Sequence, residues 1–288
     1  MGTVERTFPA LNTSESRPGY ARSGGISARN RAYLEALHRD LREPFGSEEA
    51  AEVLDLSRER ASRLLRHLTA QGWLARVKQG LYIPVPLEAR TSGDWIEDPW
   101  LVASKIFEPC FIGGWSACEH WGLTEQIFNE IAVVTAKPIR DRRPTIQGTR
   151  FRVKVVEVDQ IFGTRAVWRH DSKVEVSDPS RTVVDMLDDP SFGGGIRHVA
   201  QALVEYLESH LDEETLLSYV VRRRNRSIYK RLGYLIESQK LESARLIEAC
   251  RTRMSSGLVD LDPVVPAKGR IMKRWNLRVN VGLSEGLP

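Results

Sequence analysis

One short segment of this chain is rich in arginine, a residue whose guanidinium group binds anions. Residues 57–80 contain five arginines and one lysine against a single acid, Glu59, so this segment alone carries a net charge of +5. The whole chain of 288 residues carries only +4. Because guanidinium groups bind phosphate and the edge of guanine through paired hydrogen bonds, the segment indicates a nucleic-acid ligand.

The apolar residues of the same segment recur with helical spacing. Ala61, Leu64, Leu65 and Leu68 stand at i, i+3, i+4 and i+7, which predicts one buried helix face. The basic residues between them then point away from the core, as in a recognition helix that enters the major groove. The alternative is a solvated basic face without a ligand. We predict DNA contacts from eight residues: Ser57, Arg58, Arg60, Ser62, Arg63, Arg66, Lys78 and Gln79.

The elements around this helix are those of a winged helix-turn-helix. Residues 27–43 predict a first helix with Ser27 as N-cap, and a second helix begins near residue 47, with Ser47 as its expected N-cap. Two short strands, 73–77 and 81–83, follow the basic helix around a glycine-containing turn. Lys78 and Gln79 fall at the tip of this predicted wing.

Composition and the positions of proline and glycine indicate how the chain is divided into domains. Residues 1–26 predict a flexible arm, residues 27–90 the winged helix-turn-helix, and residues 91–288 a C-terminal effector domain. This last domain forms either one body or two lobes, 91–195 and 196–288. The boundary follows from prolines, glycine and serine between residues 84 and 93. The expected fold class is α+β, with a winged helix-turn-helix followed by a larger mixed α/β domain.

Two further basic clusters lie at residues 137–154 and 222–231. In one interpretation they add an electrostatic surface for DNA or for an acidic partner. The alternatives are a solvated helix face without a ligand, and pairing within the molecule with the acids gathered at residues 171–189. As a hypothesis based on charge alone, a toxin or other partner binds the second cluster through Arg222, Arg223, Arg224, Arg226, Lys230 and Arg231.

No pattern in the chain predicts catalysis, a metal site or a cofactor. Cys118-Glu119-His120 lacks the second ligand pair of a zinc site, and the glycines at 193–195 lack the lysine of a phosphate-binding loop. Asp185, Asp188 and Asp189 are too poorly aligned on one helix to predict a nuclease centre. We therefore expect a protein that is not an enzyme.

Three cysteines and the absence of a long apolar run indicate a cytoplasmic protein without a membrane anchor.

The order of several segments resembles that of the AbiEi family of antitoxins. These segments are SEEAAEVLDLSRERASRLLRHLTAQGWLARVKQGLYIP, IGGWSACEHWGLTEQ, IAVVTAKP, SDPSRTVVDMLDDPSFGGGIRHVAQAL, YKRLGYLIE and RWNLRVNV. The resemblance extends over about residues 45–281.

The resemblance implies two tasks. The winged helix would bind double-stranded operator DNA with inverted repeats, two copies at a time, and repress its own operon. The C-terminal domain would neutralise a co-encoded nucleotidyltransferase toxin, by direct contact or without it. Residues 57–66 match the recognition-helix position and residues 78–82 the wing. The alternative function is a one-component regulator whose C-terminal domain senses a small molecule.

Overall fold

The N-terminal part folds as the predicted order of elements. The computed structural model describes residues 26–41, 43–85 and 97–283, so the predicted arm (all but residue 26) and most of the predicted linker lie outside the described residues. Three helices are followed by an antiparallel hairpin: α1 (Ala28–Asp40), α2 (Ser47–Leu54), α3 (Arg58–Ala70), β1 (Leu74–Lys78) and β2 (Leu81–Pro84).

Local hydrogen bonds explain where these helices begin. Ser27 accepts a hydrogen bond from the Asn30 N–H and is the N-cap of α1, as predicted. Ser57 accepts a hydrogen bond from the Arg60 N–H in the same way and is the N-cap of α3. The prediction of Ser47 as the cap of α2 is wrong. Gly46 is the N-cap, because the Glu49 carboxylate accepts a hydrogen bond from the Gly46 N–H at 2.6 Å, and Ser47 is already helical.

The C-terminal region contains a six-stranded mixed sheet. Its strands are β3 (Cys110–Ile112), β4 (Glu130–Thr135), β5 (Thr145–Ile146), β6 (Thr149–Val155), β7 (Thr164–Arg169) and β8 (Ser172–Ser177). They lie side by side in the order β5-β6-β4-β3-β8-β7. In this sheet β4 runs parallel to β6, and β3 runs parallel to β8, whereas β7 and β8 form an antiparallel hairpin.

Helices cover this sheet and build a second apolar core. The helices are α4 (Pro99–Phe107), α5 (Gly114–His120), α6 (Pro179–Asp188), α7 (Ile196–Ser209), α8 (Glu213–Arg223), α9 (Ser227–Ser238) and α10 (Ala244–Arg253). Although α6 precedes residue 195, its apolar side chains belong to the cluster formed by α7–α10. Asp178 caps α6 by accepting a hydrogen bond from the Arg181 N–H.

A small three-stranded sheet follows α10. Its strands are β9 (Val259–Asp260), β10 (Arg270–Met272) and β11 (Leu277–Val279). Trp275, between β10 and β11, is fully buried against Gly233 of α9. A Cβ atom at residue 233 would lie 2.2 Å from the Trp275 ring, so only glycine admits this close approach.

The wing hairpin is apolar on both faces. Leu74 and Tyr82 belong to the core of the three N-terminal helices. Ala75, Val77 and Ile83 belong instead to the apolar cluster around α4 and the large sheet. The winged helix and the C-terminal region therefore share buried surface.

The overall architecture is the predicted fold class: a winged helix-turn-helix followed by a larger mixed α/β region. The exact domain limits, 27–90 and 91–288, stay predictions. Among the described residues, no helix is long and apolar enough to cross a membrane.

Candidate nucleic-acid interface

The predicted recognition helix, α3, has two chemically distinct faces. Ala61, Leu65 and Leu68 are fully buried against α1, α2 and the hairpin. Leu64, predicted for the same face, is only partly buried at its edge. The remaining face carries the charged residues of the predicted site. Arg58, Arg60, Arg63 and Arg66 are exposed, and Ser62 is half-buried between them.

A helical wheel shows how far each of these arginines lies from the buried face of α3. With about 100° between successive residues, Arg63 and Arg66 fall opposite the buried stripe, whereas Arg58 and Arg60 flank it on either side. The Arg66 Nε donates to the Ser62 carbonyl oxygen at 3.3 Å. No hydrogen bond or ion pair within the described residues engages the Arg63 side chain. Arg63 is thus the central cation of this face.

An acid from the preceding helix restrains Arg58. The Glu48 carboxylate lies 2.5 Å from the Arg58 guanidinium, and the two side chains remain 68% and 70% exposed. An ion pair this exposed adds little to stability. It does place a negative charge beside the start of α3, the predicted recognition helix.

The tip of the wing lies at the surface. Lys78 ends β1 and Gln79 follows it, and both side chains are exposed. Gly80 has φ +78°, the left-handed conformation that a tight turn requires at this point and that glycine adopts without strain. The hairpin therefore presents one cation and one amide beyond its buried strands.

One contact between the two halves of the chain was not visible in the sequence. The Lys105 ammonium of α4 pairs with the Glu49 carboxylate of α2. Burial opposes the ionisation of Glu49, but the hydrogen bond from Gly46 and the Lys105 charge outweigh it, so the pKa of Glu49 lies below its usual value. This pair fixes the start of α2 relative to α4.

The second basic cluster needs a correction. Arg223, Lys230 and Arg231, predicted as partner contacts, are buried or nearly so, and burial removes them from any partner's reach. The Arg231 guanidinium donates to the carbonyl oxygens of Leu187, Asp188, Asp260 and Leu261, and Lys230 donates to that of Gly257. These cations hold α9 against its neighbours.

Internal pairing, one alternative interpretation of the basic clusters, is confirmed for several members. Arg223 lies 2.5 Å from Asp188 and 3.4 Å from Asp185, and Lys154 lies 3.1 Å from Asp188. Burial alone would raise the pKa of Asp188, but the charges of Lys154 and Arg223 and a hydrogen bond from Asn225 lower it to about 2.

The other members of the second cluster lie at the surface with weaker restraints. Arg222 donates to the Asp159 carbonyl oxygen and stacks on the Phe162 ring, with its guanidinium carbon 3.7 Å from the ring centroid. Arg224 lies 3.4 Å from the Asp159 carboxylate, and Arg226 donates to a carbonyl oxygen of α10. Their charged groups remain accessible to a partner.

Two motifs set aside in the sequence have structural roles. Asp262 accepts a hydrogen bond from the Ile196 N–H at 3.1 Å, so a carboxylate already occupies the helix start that follows the three glycines. Cys118 is fully buried, and burial raises its pKa to about 12. Within the described ranges, no group of histidine, cysteine and acidic side chains is arranged to bind a metal ion.

Comparison with known proteins assigns the chain to a family. A family model described as "Transcriptional regulator, AbiEi antitoxin" matches residues 33–85, and one described as "AbiEi antitoxin C-terminal domain" matches residues 111–238. Together the two matches cover more than half of the chain. No curated protein matches it.

Among solved structures, the crystal structure of the RV2827C protein from Mycobacterium tuberculosis is similar in fold. The TM-score is 0.64 with 16% sequence identity, over 89% of this chain and 93% of that chain. At this identity the likeness concerns the fold alone. The two family models carry the assignment: this chain belongs to the AbiEi antitoxin family of transcriptional regulators.

Proposed function

We propose that this chain binds double-stranded operator DNA with inverted repeats, represses its own operon and neutralises a co-encoded nucleotidyltransferase toxin. The observation that carries the DNA-binding part is the exposed arginine face of α3 beside the exposed wing tip. Family membership supports the regulatory role and the pairing with a toxin.

The dimensions of α3 suit this role. Thirteen helical residues span about 20 Å, and the major groove of B-DNA is about 12 Å wide, so the first turns enter it while the last remain against the protein. In this arrangement Arg63 reads a base edge, with Arg58 and Ser62 beside it. Arg60, Arg66 and Ser57 contact the flanking phosphates.

The wing supplies the remaining contacts. Lys78 and Gln79 reach the sugar-phosphate backbone or the adjacent minor groove. Two copies are expected to occupy two inverted half-sites, because one winged helix covers only a few base pairs. These roles need no catalytic residue, metal or cofactor, and we assign none.

The experiment for DNA binding is a gel-shift titration. The probes are the DNA upstream of the chain's own gene and a scrambled DNA of the same length and composition. We expect preferential binding to the upstream DNA and a steep loss of affinity with salt, because several phosphates are neutralised. Equal affinity for both DNAs, or a flat salt titration, would count against the proposal.

For the toxin, the proposed contact surface is reduced to the accessible arginines Arg222, Arg224 and Arg226. The experiment is growth rescue: cells that express the neighbouring toxin gene are complemented with this chain or with a variant in which all three arginines become glutamate. We expect rescue by the wild-type chain. If the triple variant rescues equally well, these residues do not contact the toxin.

The second candidate function has one observation in its favour. A cavity of about 350 Å³ lies between α4, α5 and β7, lined by aromatic side chains and by charged ones, among them Trp100, His120 and Arg169. Its volume is within the range of small-molecule sites. A metabolite that raises the melting temperature and changes operator affinity, in a chain without a neighbouring toxin gene, would favour the ligand-sensing regulator.

A further inference from the structure

Within the described residues, no strand pairs with the outer side of β7, so β7 forms an edge of the large sheet. β7 is the last strand in the order of the sheet, and β8 is its partner on one side only. Along β7 the side chains of Ala166 and Trp168 are exposed, and Trp168 shows 65% of its surface. The Lys173 ammonium of β8 lies 4.8 Å from the centroid of the Trp168 ring and leaves most of the ring open to solvent. An exposed tryptophan on an edge strand is unusual, because both features favour association.

The hydrogen-bond pattern identifies which main-chain groups face outwards. The Asp178 N–H donates to the Gly163 carbonyl oxygen at 2.9 Å, so the pair Gly163–Asp178 is of the hydrogen-bonded kind. Since such pairs alternate along an antiparallel ladder, the N–H and C=O groups of Thr164, Ala166 and Trp168 point away from β8. No hydrogen bond that the described residues form outside this ladder reaches them.

The two faces of β7 differ in charge. Arg165, Val167 and Arg169 share one face, where Arg169 forms an ion pair with Asp98 at 2.7 Å. Thr164, Ala166 and Trp168 share the other face and are uncharged. Natural edge strands usually carry charges that block pairing, and here both arginines lie on a single face.

We propose that β7 pairs antiparallel with β7 of a second copy of this chain, about a two-fold axis at Ala166. This pairing would join the two large sheets when two copies occupy neighbouring operator half-sites. The second part of the statement rests on the proposed function.

The choice of register follows from charge and hydrogen bonding. With the axis at Ala166, Thr164 lies opposite Trp168 of the second copy, and Arg165 lies opposite Val167. All three outward-facing residues then exchange main-chain hydrogen bonds, about six in total. Moving the axis to Val167 would place Arg165 opposite Arg169, a like-charge pair, and would leave Thr164 without a strand partner.

The self-complementary register is the reason for choosing a second copy as the occupant. A contact along six residues is only about 20 Å long, so it is smaller than a stable dimer interface needs. We therefore expect weak pairing in free solution and effective pairing on DNA, where adjacent half-sites raise the local concentration of the two copies.

The experiment compares wild type with two variants and a matched control. Ala166→Pro removes an N–H that points away from β8, so it blocks the new ladder and leaves the β7–β8 hydrogen bonds intact. Trp168→Asp removes the exposed aromatic ring. The control is Val264→Asp, which changes an equally exposed apolar residue, 65% exposed, outside the sheet. Melting temperatures establish that each variant is folded.

Two measurements are made on each protein. Gel shifts with one and with two half-sites give the cooperativity, which we expect to be about tenfold or more for wild type and control, and close to one for both variants, with single-site affinity unchanged. Sedimentation without DNA at high protein concentration is expected to show self-association of wild type and control only.

Three outcomes would overturn the proposal: wild type binds without cooperativity, the variants keep full cooperativity, or Trp168→Asp abolishes toxin neutralisation while cooperativity persists. The last result would assign the strand to the toxin. If no DNA is bound at all, the proposed function fails, and sedimentation alone then decides whether β7 strands pair.

Discussion

Replacing Arg63 with alanine is expected to weaken operator binding about 5- to 150-fold without destabilising the fold. Arg63 lies at the centre of the exposed face of α3 and forms no ion pair or hydrogen bond within the described residues. Its removal therefore costs the folded protein no contact, and a surface change of this kind alters stability by less than about 0.5 kcal/mol.

The magnitude follows from the kind of contact that this position allows. A bidentate arginine–guanine contact contributes about 1–3 kcal/mol of discrimination, and its loss relaxes the preference at one base pair. If Arg63 contacted a phosphate instead, Arg63→Ala would weaken binding to all sequences alike and reduce the salt slope by about 0.9. The two roles are thus distinguishable within one experiment.

The assay is a fluorescence-anisotropy titration on the operator, on single-base variants of each half-site and at several salt concentrations. Arg251→Ala is the matched control, because Arg251 is an exposed arginine on α10, away from α3. Unchanged affinity and unchanged base preference in Arg63→Ala, with the salt slope also unchanged, would refute the assignment of α3 as the recognition helix.

Three further changes test the electrostatics and packing. Glu48→Gln is expected to raise DNA affinity a few-fold, measured by the same titration, because it removes a negative charge beside the start of α3; reduced affinity would show that Glu48 positions the helix for binding. The pKa of Asp188, about 2 when folded, lies below its usual value of 3.8, so its ionisation stabilises the fold above about pH 4 and loses this effect as the pH falls towards 2. Asp188→Asn should therefore lower the free energy of unfolding by on the order of 2 kcal/mol at neutral pH. In urea unfolding, the variant should also lose less stability than wild type between about pH 4 and pH 2; an equal loss in both proteins would contradict the pairing. Gly233→Ala should destabilise the protein by about 1–3 kcal/mol in urea unfolding, because its Cβ meets a buried tryptophan ring, whereas Gly257→Ala, which meets nothing within 4 Å, should not; equal stability of both variants would contradict this packing.

The winged helix was predictable because its signals are local. Ser27 and Ser57 are caps that directly precede apolar helical periods, and the turn at Gly80 separates two short apolar runs. The error at Ser47 is also local. Glycine has no side chain that could signal a cap. The capping hydrogen bond is instead accepted by the Glu49 carboxylate, three residues further on.

The basic residues of α8 and α9 were not predictable in this way. A run of arginines looks the same whether it faces water or a buried carboxylate, and only the tertiary structure brings Arg223 to Asp185 and Asp188. The same limit applies to β9 and β11, which pair in parallel although α10 is followed by no apolar run long enough to predict a strand. Long-range pairing leaves little trace in short strands.

The burial of the wing on both sides was, in contrast, visible in the sequence. Leu74 with Tyr82, and Ala75 with Ile83, place apolar residues on both sides of a two-stranded hairpin, a pattern that indicates burial on both sides. A wing that only touches DNA needs one apolar face.

The two-sided burial of this hairpin has a consequence for modularity. Winged helices are commonly regarded as independent DNA-binding domains that recombination can join to different C-terminal domains. Here Ala75, Val77 and Ile83 would be exposed to water after such an exchange, unless the new effector offered an apolar surface of matching shape. The winged helix and the C-terminal region of this chain are therefore expected to change in sequence together during evolution.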